Sequence, residues 1–179
     1  DSHPELRVAK EMRRDNGNIW SGDDNVAFIL DTFFDRRNSF QFTINSIGGR
    51  QDAQVFNERQ WVGDWNTVWD FKTGRFEGGW TAETAIPFKS LRYRPGQEQT
   101  WGFNAMRTNR WKNELSFLTP VPKSLGQRGL LLCRWLVMLL LLSFRHRVCG
   151  NGCSGIWRVV RKGHAGILFP RPGGRWAAM

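Results

Sequence analysis

The last 57 residues of this chain contain no aspartate and no glutamate. The whole protein has 16 acidic and 26 basic residues in 179, and its formal net charge is +10. Residues 1–122 hold all 16 acids against 16 basic residues and are neutral, so residues 123–179 carry the entire excess. Cysteine is missing from the first part. Cys133, Cys149 and Cys153 all lie in the second, so residues 1–122 neither need nor report an oxidising compartment. No signal peptide is visible, and no apolar run reaches the roughly 20 residues of a membrane span. Catalytic constellations are also lacking in the first part. Its only histidine is His3, and no Ser-His-Asp or Cys-His set occurs. Sixteen acids always provide some carboxylate pair, so glycoside hydrolysis cannot be read from them. The first part therefore reads as a binder with no catalytic residue.

What the first part does have is aromatic weight in alternating text. It holds seven of the ten Trp and eleven of the thirteen Phe. Residues 25–31 are nearly all apolar, as suits a strand buried on both sides. In residues 39–45, Phe40, Phe42 and Ile44 alternate with Gln41, Thr43 and Asn45, the pattern of a half-buried strand. Residues 35–38 make a polar hairpin turn and residues 47–50 a glycine turn. Strands are expected over residues 67–71 and 79–86, with residues 72–75 as the turn between them and Trp80, Ala82, Thr84 and Ile86 on one face. Pro87 ends that strand. Residues 100–107 alternate again, with Trp101, Phe103 and Ala105 inward, and residues 114–118 form a last short strand. Only residues 5–14 read as helix. Short strands at near-regular spacing predict an all-β fold, an antiparallel β-sandwich or barrel.

Three ordered motifs carry a family resemblance: residues 23–42, opening on Asp23-Asp24-Asn25-Val26; residues 79–93, opening on Gly79-Trp80-Thr81-Ala82; and Trp101-Gly102-Phe103-Asn104 with Arg107 and Glu114. Residues 1–122 resemble the carbohydrate-binding module family 9-like domains, in particular the N-terminal sandwich of bacterial envelope proteins that often precedes an outer-membrane barrel. The resemblance implies a β-sandwich, polysaccharide or oligosaccharide binding of the kind associated with glycoside hydrolases, and a place in the cell envelope or outside the cell. It also implies linkage to a barrel in the full-length protein. Against the family pattern the sandwich is expected to be incomplete at both ends, with strands missing before Asp23 and a closing strand missing after Pro122.

Sugars stack their C–H faces on aromatic rings and offer hydroxyls to carboxylates and amides. The cluster Trp61-Val62-Gly63-Asp64-Trp65-Asn66 reads as a loop of that kind, with Trp61 and Trp65 for stacking and Asp64 and Asn66 for hydroxyl contacts. The competing reading makes both Trp satellite core. Trp69, Trp80 and Trp101 are core by their alternation. Asn104 and Arg107, with Glu83, make a second polar candidate, whose alternative is an ion pair of Glu83 with Arg107 or Arg92 that holds the sheet. Asp23, Asp24, Asp31, Asp35 and Asp52 have the oxygens for a structural calcium, although no loop shows fixed ligand spacing. No metal or cofactor is otherwise expected. The rival function is a structural or interaction domain of an envelope protein without a sugar site.

Residues 123–179 admit four readings. Residues 135–142 suggest a membrane anchor, but even residues 130–144 are short and enclose Arg134. Cys133, His146, Cys149, Cys153 and His164 suggest zinc, but in no standard finger spacing. The charge suggests a nucleic-acid arm, yet Leu-rich text with scattered Arg is not a solvated basic tail. The fourth reading is an out-of-frame, non-native segment that begins where the resemblance stops. It is the preferred one, and with it nucleic acid is not an expected partner.

Overall fold

The computed structural model describes residues 3–95 and 101–119, and the backbone of residues 158–162, 164–170 and 176–177. Among the described residues the first part has eight strands. They are β1 (Asn25–Asp31), β2 (Ser39–Asn45), β3 (Arg50–Phe56), β4 (Gln60–Val62), β5 (Asp70–Phe76), β6 (Gly79–Ala85), β7 (Gly102–Asn109) and β8 (Glu114–Phe117). Six of them form one antiparallel sheet in the order β4-β3-β2-β1-β7-β8, and β5 and β6 pair as a separate hairpin. The described residues are thus mostly strands in antiparallel sheets, an all-β arrangement. Its helical elements among the described residues are α1 (Gly17–Ser21) and the 3-10 turns Pro4–Leu6 and Phe88–Ser90.

The strand period assigns the two faces of the sheet. The first face carries Phe28 and Leu30 of β1 and Phe40, Phe42 and Ile44 of β2. These pack with Trp80 and Ala82 of the hairpin and with Trp69, Ile86, Leu91 and Trp101 in one buried cluster. Trp69 meets Phe42 edge-on at 5.1 Å and Phe71 at 5.5 Å. Trp69, Trp80 and Trp101 are core, as their alternation predicts. The second face carries a smaller apolar cluster of Ala27, Ile29 and Met106, with Trp20 of α1, Val55 and Phe117 against it.

Four local expectations need correction. Strand β2 is buried on both faces, since Ser39, Gln41, Thr43 and Asn45 are as enclosed as Phe40 and Phe42. The turn of the hairpin is not at residues 72–75, which lie inside β5. It falls at Glu77 and Gly78, where Gly78 takes φ +82, a left-handed conformation open to glycine. Trp61 lies in β4, not in a loop. Residues 7–14 are not helical, because their backbone N–H groups go to side chains of the β1 approach. Val8 N–H donates to Asp24, and Lys10 and Glu11 N–H donate to Asp23.

In the second part, β9 (Arg158–Lys162), β10 (His164–Pro170) and β11 (Trp176–Ala177) form a three-stranded antiparallel sheet in the order β11-β10-β9. The apolar residues 130–144 and Cys133, His146, Cys149 and Cys153 lie outside the described residues. Of His164 only its backbone position at the start of β10 is described. No helix among the described residues is long and apolar enough to cross a membrane.

Candidate ligand-binding surface

Strand β4 is short and at the sheet edge, and it is set by a tight turn. Asn57 and Glu58 both adopt left-handed φ, at 48° and 66°, and Arg59 N–H donates to Phe56 O at 3.1 Å. Glu58 N–H also reaches Arg37 O at 2.9 Å, which ties this turn to the β1–β2 connection. The register then sets Trp61 opposite Val55. Trp61 is 48% exposed. Its ring lies against the backbone of Gly63, so closely that a Cβ there would stand 2.3 Å from Trp61 Cη2. Glycine at 63 leaves room for the indole in this position, and a larger residue would move the ring aside.

Beyond Gly63 the chain presents Asp64 and Asn66 to solvent, and Asn66 Nδ2 donates to Asp64 O at 3.4 Å. Trp65, between them, turns inward. Its ring is 4.8 Å from Phe40 and 6.0 Å from Phe42, at the margin of the core. The two tryptophans of the cluster therefore separate, Trp61 beside Val55 on the second face and Trp65 at the margin of the core on the first. The segment that follows is fastened by Asp52, which is fully buried on β3. Its carboxylate accepts from Thr67 N–H at 2.7 Å, Trp69 Nε1 at 3.2 Å and Arg14 Nη2 at 2.8 Å. Arg14 Nη2 donates as well to Thr67 O at 2.9 Å.

Asn104 and Arg107 are not part of this surface. Both lie on β7, with β3, β2 and β1 between them and β4, which at about 4.8 Å per strand separates them by roughly 19 Å. They also sit on opposite faces, with Asn104 in register with Ile29 and Arg107 with Val26. Asn104 is buried, and its Oδ1 accepts from Ala105 N–H at 2.9 Å and Thr119 N–H at 3.1 Å, holding the chain after β8 against the sheet.

The five acids considered as calcium ligands are each engaged by backbone N–H groups. Asp23 and Asp24 hold residues 8–11, and Asp24 Oδ1 also accepts from Arg110 N–H at 2.8 Å. Asp31 accepts from Asp35 and Arg36 N–H, and Asp35 from Arg37 and Asn38 N–H and from Asn38 Nδ2. Asp52 accepts from Thr67. Among the described residues no three metal-ligating side chains converge. Burial acts to raise the Asp35 pKa. The hydrogen bonds from Arg37, Asn38 and the Asn38 amide, with the field of Arg94, outweigh it, and the carboxyl titrates below its usual range.

Sequence reasoning passes over Ser39, Gln41, Thr43 and Gln51, which are buried polar residues of the second face. Alternation alone marks them as the solvent side of their strands; only the register shows them side by side. In comparisons with known proteins, no family model, no curated protein and no solved structure matches this chain.

Proposed function

We propose that the six-stranded sheet and the β5–β6 hairpin are the two layers of a β-sandwich of the family 9-like carbohydrate-binding kind, and that it binds carbohydrate without catalysing a reaction. The observation that carries this reading is Trp61, a half-exposed indole against the Gly63 backbone, with Asp64 and Asn66 exposed three and five residues on. A supported ring offers a sugar its stacking face at little entropic cost, and the adjacent carboxylate and amide take hydroxyls. Trp65 packs on the first face of the sheet, on Phe40 and Phe42, and anchors the segment that carries Asp64 and Asn66. A place in a bacterial envelope, joined to an outer-membrane barrel, belongs to the same proposal and rests on the sequence resemblance.

The test is affinity electrophoresis and calorimetry of the whole chain against plant-type polysaccharides and their oligosaccharides. Trp61→Ala should weaken binding about tenfold, the equivalent of about 1.4 kcal/mol, and leave the unfolding midpoint in place. If Trp61→Ala and Asp64→Ala both bind like the parent chain, the reading fails. The rival reading, an interaction domain, is favoured by one observation: edge strand β8 and its exit expose Leu115 and Leu118. That reading expects no glycan to bind and Leu115→Lys to abolish a protein contact.

A further inference from the structure

Strand β8 is an outer strand of the six-stranded sheet, and its backbone shows which of its groups are left open. Leu118 N–H donates to Ala105 O at 2.8 Å. Hydrogen bonding alternates along an antiparallel strand, so Glu114 and Ser116 also turn their N–H and C=O toward β7. Leu115 and Phe117 turn theirs outward, where no described strand pairs with them. Their side chains belong to the second face, Leu115 in register with Thr108 and Phe117 with Met106. Phe117 packs on the apolar cluster of Ala27, Ile29 and Met106, while Leu115 is 43% exposed.

Outer strands are normally guarded against pairing by shortness, by Lys or Pro, or by a local twist. The other outer strand of this sheet, β4, is guarded. It is three residues long and lies between the left-handed turn at Asn57 and Glu58 and Gly63. Strand β8 reads Glu-Leu-Ser-Phe, with no Lys, Pro or Gly, and its one charge is at its first residue.

A second copy of β8 fits this edge. Laid antiparallel with a two-fold axis at Ser116, Leu115 of each copy stands opposite Phe117 of the other. Both are outward residues, so every open N–H and C=O of the two strands is paired. On the second face Leu115 covers Phe117 of the other copy and joins the two apolar clusters. Ser116 meets its counterpart at the axis as a pair without mutual hydrogen bonds, with Cα atoms about 4.5 Å apart. Glu114 falls opposite Leu118, which is 45% exposed, so no like charges face each other. Residues 1–122 are neutral and add no repulsion between the copies.

We propose that β8 joins two copies of this chain edge to edge, their sheets continuing as one across a two-fold axis at Ser116. The proposal is independent of the carbohydrate reading, since Trp61 lies on the opposite outer strand. It names the partner that the interaction reading leaves open. A seam of this length buries less than the roughly 1,200 Å² of a standard interface, so the dimer is a weak one.

The experiment is sedimentation velocity of the whole chain from about 5 to 500 μM, with calorimetry against glycans on the same samples. The parent chain should pass from monomer to dimer over that range. Leu115→Lys replaces an exposed side chain, and it should stay monomeric with its unfolding midpoint in place. Cross-linking reads the register. In a chain carrying Cys133→Ser, Cys149→Ser and Cys153→Ser, Ser116→Cys should form an intermolecular disulfide on mild oxidation. Glu114→Cys, about 14 Å from its counterpart in this register, should do so at least about tenfold more slowly. A parent chain monomeric at every concentration overturns the proposal. So does an equal dimer in Leu115→Lys, growth past the dimer, or equal cross-linking of the two cysteine variants. Glycan binding without a dimer leaves the carbohydrate reading standing alone, and a dimer that binds no glycan leaves this proposal standing alone.

Discussion

Replacing Asp52 by Asn changes one oxygen to an amide nitrogen and probes the fold where it is most enclosed. The carboxylate is fully buried among donors: Arg14 Nη2 at 2.8 and 3.1 Å, Thr67 N–H at 2.7 Å and Trp69 Nε1 at 3.2 Å. An amide keeps one acceptor and turns a second donor toward these groups. It also takes from Arg14 its buried counter-charge and leaves it the partly exposed Asp15, whose Oδ2 lies 3.1 Å from Arg14 Nε. Breaking a buried pair by removing one partner costs about 3–5 kcal/mol. The Arg14 side chain is 34% exposed and keeps part of its hydration, so the lower end applies, about 3 kcal/mol. For a domain of this size that is a fall of about 10 °C in unfolding midpoint. Urea unfolding followed by tryptophan fluorescence measures it. A cycle with Arg14→Met should return a coupling of at least about 1 kcal/mol. Because Thr67 N–H anchors the chain that leaves the Trp61 turn, Asp52→Asn should also weaken glycan binding. A loss of stability under about 1 kcal/mol, or a coupling near zero, refutes the account of Asp52 as the fastening of this region.

Trp65→Ala should cost about 2–4 kcal/mol in the same assay, because it removes a ring packed on Phe40 and Phe42, whereas Trp61→Ala should cost less than about 1 kcal/mol. Gly63→Ala should displace the Trp61 indole, whose Cη2 would be 2.3 Å from the new Cβ; a red-shifted emission and lost ligand binding at an unchanged fold would show it. Gly49→Ala should destabilise by about 1–3 kcal/mol, since its Cβ would stand 2.3 Å from the backbone oxygen of Glu11, an atom with no rotamer to escape by; equal urea midpoints would refute this. Asp35 has a folded-state pKa below its unfolded value, so its stabilisation is complete above the ordinary carboxylate value of about 3.9 and is lost as pH falls through the folded value. Asp35→Asn should therefore differ most from the parent chain at neutral pH and converge with it in acid. Glu11, held down to about 2 chiefly by its side-chain hydrogen bond with Arg13, is common to both chains, so the difference isolates Asp35.

The strands that bury bulky side chains are legible in the sequence. Residues 25–31 and 39–45 are the bounds of β1 and β2, and the alternation of Trp80, Ala82, Thr84 and Ile86 marks the buried face of β6. Strand β3 is not legible, because Gln51, Asp52 and Gln54 look solvated until Arg14, sequence-distant, meets Asp52. Residues 72–75 have turn composition but are drawn into β5 by pairing with β6. At the candidate site the sequence shows two tryptophans four residues apart with polar neighbours. Which one faces solvent depends on the pairing of Trp61 with Val55, a long-range fact that local pattern does not contain. The polar row on β2 is hidden for the same reason, since alternation reads as one wet face and register makes it an enclosed one.

Residues 7–16 have no strand or helix of their own, yet Asp23, Asp24 and Asp52 on the sheet, or on its approach, are occupied by their amides and by Arg14. Their order is thus borrowed from β1 and β3, and the debt runs both ways. A protease that clipped this segment would strip three enclosed carboxylates of donors together, and the sheet would have to swell to let water replace them. The irregular leader, with hardly any secondary structure to mark it, works as the gasket of the domain.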